Sequence, residues 1–263
     1  FWNYFNKLGV DVILEQEDET SRSRSLNTRR RTAPQDELLR QRQITDNEDQ
    51  EGYTYEPTIY YQRKFPEEGK KLKASAKYSM EVQDDGTTTE KESRISGNNR
   101  QLYQNRQQEE ENRQLGVFRV DFTDPFLEDG KLETGVRGQY RKFDNNYRYL
   151  EYSQQEGTYQ NLPDISNNFV YEEQVYAGYL QGQYKHQDWT FMAGLRAEQT
   201  FVSTTVQDTE ETNNQQYLNF FPSSRIQYKV NEERSFNLSY SRRIDRPSAW
   251  RLNPFPDLSD SSS

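Results

Sequence analysis

Between residues 72 and 83 the chain alternates with a period of two. Leu72, Ala74, Ala76, Tyr78, Met80 and Val82 fall on one side; Lys73, Ser75, Lys77, Ser79, Glu81 and Gln83 fall on the other. Side chains change face at every residue of a strand but recur every 3.6 residues on a helix. The stretch therefore fits an extended strand with one apolar and one wet face. The plan returns downstream. Leu132, Thr134, Val136 and Tyr140 oppose Glu133, Arg137, Gln139 and Arg141, while Trp189, Phe191, Ala193, Leu195 and Ala197 oppose Thr190, Met192, Arg196 and Glu198.

The connections carry the next inference. Short turns are expected near residues 6, 67, 127, 187 and 232, and long polar loops at about 15–52, 84–112, 144–169 and 203–216. A helix-like piece near Asp36 to Arg42 lies within the first of these, and residues 245–263 read as a further loop or truncated end. A β-sandwich has no reason to put every long connection at one end, whereas outer-membrane barrels keep short periplasmic turns and long outer loops. Strands of roughly 11 to 15 residues exceed the usual globular length and satisfy a tilted membrane crossing. The expected fold is all-β: an antiparallel up-and-down transmembrane barrel wall of about nine complete strands, residues 1–263 forming part of one barrel domain.

Composition is consistent with that reading once disorder is set aside. Only 31% of residues are hydrophobic and the mean hydropathy is -1.25, values that suit a solvated chain. Nineteen Tyr and 14 Phe argue otherwise. Trp189, Phe191, Tyr184, Tyr228, Phe65 and Phe122 lie beside short turns, as an interfacial aromatic girdle would. No apolar run is long enough for a transmembrane helix, which leaves a β-barrel open. Phe1 to Tyr4 lacks the basic and apolar regions of a signal peptide, so an exported precursor would begin upstream.

Chemistry is constrained by what is missing. With no Cys and one His (His186), no disulfide framework, thiol chemistry or metal cofactor is expected, and no catalytic metal site. A net charge of -9 argues against nucleic-acid partners. No triad, nucleophile elbow or phosphate loop is present, and adjacent carboxylates such as Asp84-Asp85 and Glu172-Glu173 would point to opposite faces of a strand. The chain is read as a non-enzyme. Arg137, Gln139, Arg141, Gln181, Arg196, Glu198 and Arg225 recur on the wet face, where they would form ladders on a lumen wall. Two roles stay open for them: solvating the lumen and docking its contents, or lining a substrate path.

The C-terminal hairpin carries a more specific signal. Phe220-Phe221-Pro222-Ser223-Ser224, Tyr240-Ser241-Arg242-Arg243-Ile244-Asp245-Arg246-Pro247-Ser248 and Leu252-Asn253-Pro254-Phe255 closely resemble the barrel of TonB-dependent outer-membrane receptors, and more narrowly the outer membrane protein β-barrel family. The resemblance implies a barrel of about 22 strands with an N-terminal plug. It also implies uptake of a siderophore, cobalamin, glycan or peptide powered by the TonB complex. Outer-membrane lipid, the plug, the TonB complex and a surface lipoprotein are the partners it suggests, in the outer membrane of a Gram-negative cell. No plug or TonB-box region is recognisable, and Ser261-Ser262-Ser263 lacks a closing aromatic, so a barrel fragment is expected. On this reading Tyr240, Ser241, Arg242, Arg243, Arg246, Pro247, Asn253, Pro254 and Phe255 mark the outer rim, with the arginines reaching water or lipid head groups. A small closed barrel acting as adhesin or passive channel, and a soluble extracellular β-sheet binding protein, are the alternatives.

Overall fold

In a computed structural model that describes residues 5–31, 37–95 and 99–253, the alternating segments join into one antiparallel sheet. Its strands are β1 (Asn6–Arg31), β2 (Glu37–Lys64), β3 (Lys71–Ile95), β4 (Asn99–Phe126), β5 (Gly130–Ser153), β6 (Thr158–Asn161), β7 (Asn167–His186), β8 (Trp189–Val206), β9 (Glu211–Lys229) and β10 (Ser235–Ser241). Spatial order follows the chain, β1-β2-β3-β4-β5-β7-β8-β9-β10, with β6 a flap paired to β5 alone. A 3-10 turn (Pro163–Ile165) precedes β7, and one helical turn, α1 (Ala249–Leu252), follows β10. Each neighbour is reached by a hairpin, which is the up-and-down connectivity of a barrel wall.

Register explains why one face is greasy. A single cross-strand row reads Leu8, Tyr61, Ala74, Val120, Val136, Gly178, Ala197, Phe220, each paired with the next. One residue's slip would turn the whole row to the wet side, so the alternation fixes the pairing. Phe118, Val136, Leu180 and Leu195 remain 50–53% exposed in the middle of this belt. A continuous apolar surface of that kind belongs against lipid, with the polar face inward. Near the short turns, Trp189 lies 4.6 Å from the Tyr228 ring and 6.0 Å from Phe191, and Phe65 meets Phe122 edge-on at 6.1 Å. Trp189 and Tyr228 are amphipathic rings of the kind that sit at a membrane interface.

The regions expected to be long loops are strands. Residues 15–31 and 37–52 are the outer halves of β1 and β2, paired down to Arg31 against Glu37. Residues 84–95 and 99–112 extend β3 and β4 to Ile95 against Asn99, and 203–216 continue β8 and β9 around a turn at 207–210. Only 144–169 is mixed, holding the end of β5, then β6 and the 3-10 turn. Of the helix-like piece near Asp36 to Arg42, residues 37–42 belong to β2 and Asp36 lies outside the described residues, while Asn6-Lys7, expected to turn, pairs with Arg63 and Gln62. Sequence reasoning missed these overhangs because both of their faces are polar. Without lipid on one side alternation disappears, yet backbone pairing continues unchanged. Cross-strand side chains reinforce it: Ser21 donates to Glu48 (2.9 Å) and Gln104 to Glu90 (2.9 Å). The asymmetry between the two ends is therefore one of strand overhang.

The buried core is small and lies on the wet face, above the belt. Phe143, Phe169, Tyr171 and Val206 pack together there, with Val202 and Ala249 against them.

Candidate lumen-wall site

The segment after β10 turns back over the wet face and lies across β7, β8 and β9. The Arg242 backbone N–H donates to the Pro222 carbonyl (3.2 Å), Ala249 of α1 joins the aromatic cluster, and Asn167 Nδ2 donates to Asn253 Oδ1 (2.8 Å). Residues 242–253 thus form a strap on the inner wall. Pro247 and Leu252 close a pocket of about 200 Å³ with Tyr171 and Tyr217 beneath them.

Arg246 fastens the strap. Its Nη2 donates to Glu198 Oε2 at 2.6 Å and to Thr200 Oγ1 at 3.2 Å, its Nε donates to the Tyr217 hydroxyl at 3.3 Å, and Nε stands 3.9 Å from Glu173. Glu173 and Glu198 are almost fully buried, and Thr200 is wholly so. The register brings these partners together. Glu173 on β7 lies between Arg141 on β5 and Val202 on β8, while Thr200 faces Val175 on one side and Tyr217 on the other. Each carboxylate has a second cation: Arg196 donates to Glu198 at 2.6 Å, and Arg141 stands 3.6 Å from Glu173. Two buried anions and three arginines compensate one another, which is what makes their burial tolerable. Beside them burial pushes the Tyr171 hydroxyl up to about 12, with the charge of Glu173 adding to the effect.

This revises the placement of Arg246. Expected at the rim and reaching outward, it instead points back onto the wall, because two buried carboxylates attract it more strongly than open solvent does. Tyr240 and Ser241 end β10, with Tyr240 paired to Ser224 on the apolar side and Ser241 to Ser223 on the polar side. Pro254 and Phe255 lie outside the described residues. On the polar face Arg137 donates to Gln139 (2.7 Å), Gln181 to Glu133 (3.1 Å) and Arg225 to Asn237 (2.8 Å). The seven polar-face candidates therefore split: Arg141, Arg196 and Glu198 join the Arg246 network, and the other four form local pairs. Glu173, Thr200 and Tyr217 were missed. Adjacent Glu172 and Glu173 do diverge, with Glu172 accepting from the Tyr140 hydroxyl (3.3 Å), and that divergence was the available sign that Glu173 points inward. Among the described residues no group of three His, Asp or Glu side chains is arranged to hold a metal ion.

A meander of long strands with a lipid-facing belt and an ionised inner wall defines an outer-membrane β-barrel protein. The model of the outer membrane protein beta-barrel family matches residues 63–263, and the chain belongs to that family, resident in the outer membrane of Gram-negative cells. Among solved structures it is similar to the ferric citrate transporter FecA in its unliganded form, at 11% identity and a TM-score of 0.40, covering 87% of this chain and 42% of that one. Similarity to the copper transporter OprC is 12% in identity with a TM-score of 0.45, covering 96% and 49%. The ferric yersiniabactin uptake receptor FyuA from Yersinia pestis gives 8% and 0.33, covering 87% and 44%. The chain spans less than half the length of each of these structures. Curated protein sequences gave no match.

Proposed function

We propose that the chain forms part of the wall of an energised outer-membrane uptake receptor of the TonB-dependent kind, acting by transport and not by catalysis. The observation that carries this reading is the width of the wall. Among the described residues eight strands cross the belt, a ninth, β10, enters it, and β1 and β10 are each paired on one side only. Unpaired edges are not tolerated in hydrocarbon, and bacterial single-chain barrels have even strand numbers. A closed wall built from these strands is thus at least ten strands round, wider than the roughly eight-stranded barrels that side chains alone can fill. Its ionised inner face calls for water or a folded filler. A plug domain answers that need, and the TonB complex supplies the work of moving it. A siderophore, cobalamin, a glycan or a peptide is the cargo class, and a surface lipoprotein a further partner.

Uptake in the gene-disrupted strain tests the reading. Disruption is expected to abolish accumulation of one such nutrient under limitation, and a protonophore is expected to abolish the same uptake in the parent strain. Protonophore-insensitive uptake, or steady ion conductance by the purified full-length protein in a planar bilayer, would favour a passive channel and overturn the proposal.

A further inference from the structure

Beside the strap the wet face holds a larger cavity, about 570 Å³, spanning β3 to β9 and bounded at one side by the strap's first residues. That residues of β3 and β9 line one space makes this face concave. Lys71, Lys73, Arg119, Arg196, Arg242 and Arg243 line it. Asp121 and Glu133 are the carboxylates among its lining residues, and both are already engaged. Asp121 pairs with Arg119 at 2.6 Å and accepts from Tyr179 at 2.5 Å; Glu133 pairs with Lys131 at 2.8 Å and accepts from Gln181 at 3.1 Å. Arg196 is likewise held by Glu198. The side chains of Lys71, Lys73, Arg242 and Arg243 have no hydrogen-bond or ion-pair partner among the described residues. In a chain of net charge -9, four cationic residues without such a partner line one concavity.

We propose that this cavity is a binding site for a small polyanion bearing carboxylate or phosphate groups. Its volume lies in the range of small-molecule sites. The consecutive Arg242 and Arg243 bring to its edge the planar donor forks suited to such oxyanions, Lys71 and Lys73 add point charge, and the hydroxyls of Thr123, Ser223 and Ser241 supply further donors. A concave wall of one sign also concentrates counter-ions from the lumen. Arg242 and Arg243 reach the cavity because Arg246, a few residues on, holds the strap to the wall. Anion binding thus depends on the strap being docked. The inference rests on the transport reading only in treating the anion as cargo.

Equilibrium dialysis of the full-length protein in detergent against radiolabelled inorganic pyrophosphate at low salt is the test. Saturable binding is expected, weakened about tenfold by Lys73→Gln or by Arg242→Gln with Arg243→Gln, and similarly by Arg246→Met, which touches the cavity only through the strap. Retained heat-modifiable migration shows that each variant is folded. Arg100→Gln, on the outer overhang of β4, should leave binding unchanged. No binding by the folded wild-type protein, as when acidic side chains of a plug already fill the cavity, overturns the inference; so does binding that the cavity variants leave intact. Energised uptake without pyrophosphate binding removes the inference and spares the transport reading. Binding by a passively conducting protein does the reverse.

Discussion

Arg246 shows how much one side chain can organise. Its two carboxylate partners lie on neighbouring strands, far from it in sequence, and both are out of water. Losing one partner of a buried pair is usually expensive, but here each carboxylate keeps a second arginine and Arg246 is itself a quarter exposed. Arg246→Met is therefore expected to free the strap at a cost of about 2 kcal/mol, less than for an isolated buried pair. Trypsin cleavage after Arg242, Arg243 or Arg251 in outer-membrane preparations should rise by about 30-fold if cleavage follows local opening. An unchanged rate would deny the latch. A second residue-scale prediction concerns Gly135, whose added Cβ would meet the Tyr179 ring at 2.5 Å and the Val120 carbonyl at 2.6 Å. That ring leans over the glycine to reach Asp121. Gly135→Ala should cost about 1–3 kcal/mol by overpacking, read as a lower urea midpoint for loss of the heat-modifiable form. The arginine motif was legible in the chain. Its partners were not, because nothing local in the sequence ties Arg246 to Glu173 or Glu198; only strand register does.

At the scale of elements, the strands were legible wherever lipid imposes alternation and illegible above it. Leu72 to Val82 announces β3, but Gln83 to Ile95 carries no period even though it pairs with β4 throughout. What holds these overhanging ribbons is backbone pairing and polar side chains, some of them buried at a cost. Glu111 is nearly buried and Asp85 partly so; desolvation raises the pKa of both, and for Glu111 it outweighs the attraction of Arg113. A carboxyl raised on folding binds its proton more tightly in the folded ribbon than in the unfolded chain. The contribution of these two carboxyls to the ribbon's stability is accordingly greatest below the ordinary carboxylate values of about 4. It declines as pH rises from there through the raised folded values, then levels off. Hydrogen exchange in the β3–β4 overhang, corrected for intrinsic rates, should show more protection at pH 4.5 than at pH 7.5. Asp85→Asn with Glu111→Gln should flatten the difference, and a wild-type ribbon with equal protection at both values would refute the argument.

For the whole molecule, the two faces of the sheet obey different solvents. Val136 sits mid-belt between Val120 and Gly178, where an arginine would face hydrocarbon. Val136→Arg should destabilise the folded barrel by about 2–4 kcal/mol, whereas Ser79→Arg, on the wet face of β3, should cost little. Urea titration of the two variants in the same lipid or detergent decides it, and equal costs would mean the faces are misassigned. The fold class and the belt followed from period-two patterning. The strap did not, because a segment that leaves a strand and lies back across its neighbours has no periodicity to read.

The uneven strand overhang gives the outer mouth a slope. β3 continues from Gln83 to Ile95 above its belt, roughly 40 Å along the strand, while β8 continues only from Val202 to Val206, roughly 15 Å. The described wall is a parapet with a gap in it, and the gap stands over the strap and its pocket. On the proposed uptake reading, a bulky particle descending from outside would meet the tall ribbons first and be held off, while a solute would enter over the low side. Streptavidin bound to a biotinylated cysteine on the β8–β9 lip, as in Thr212→Cys, should therefore block passage far more than the same bulk on the parapet at Ser93→Cys.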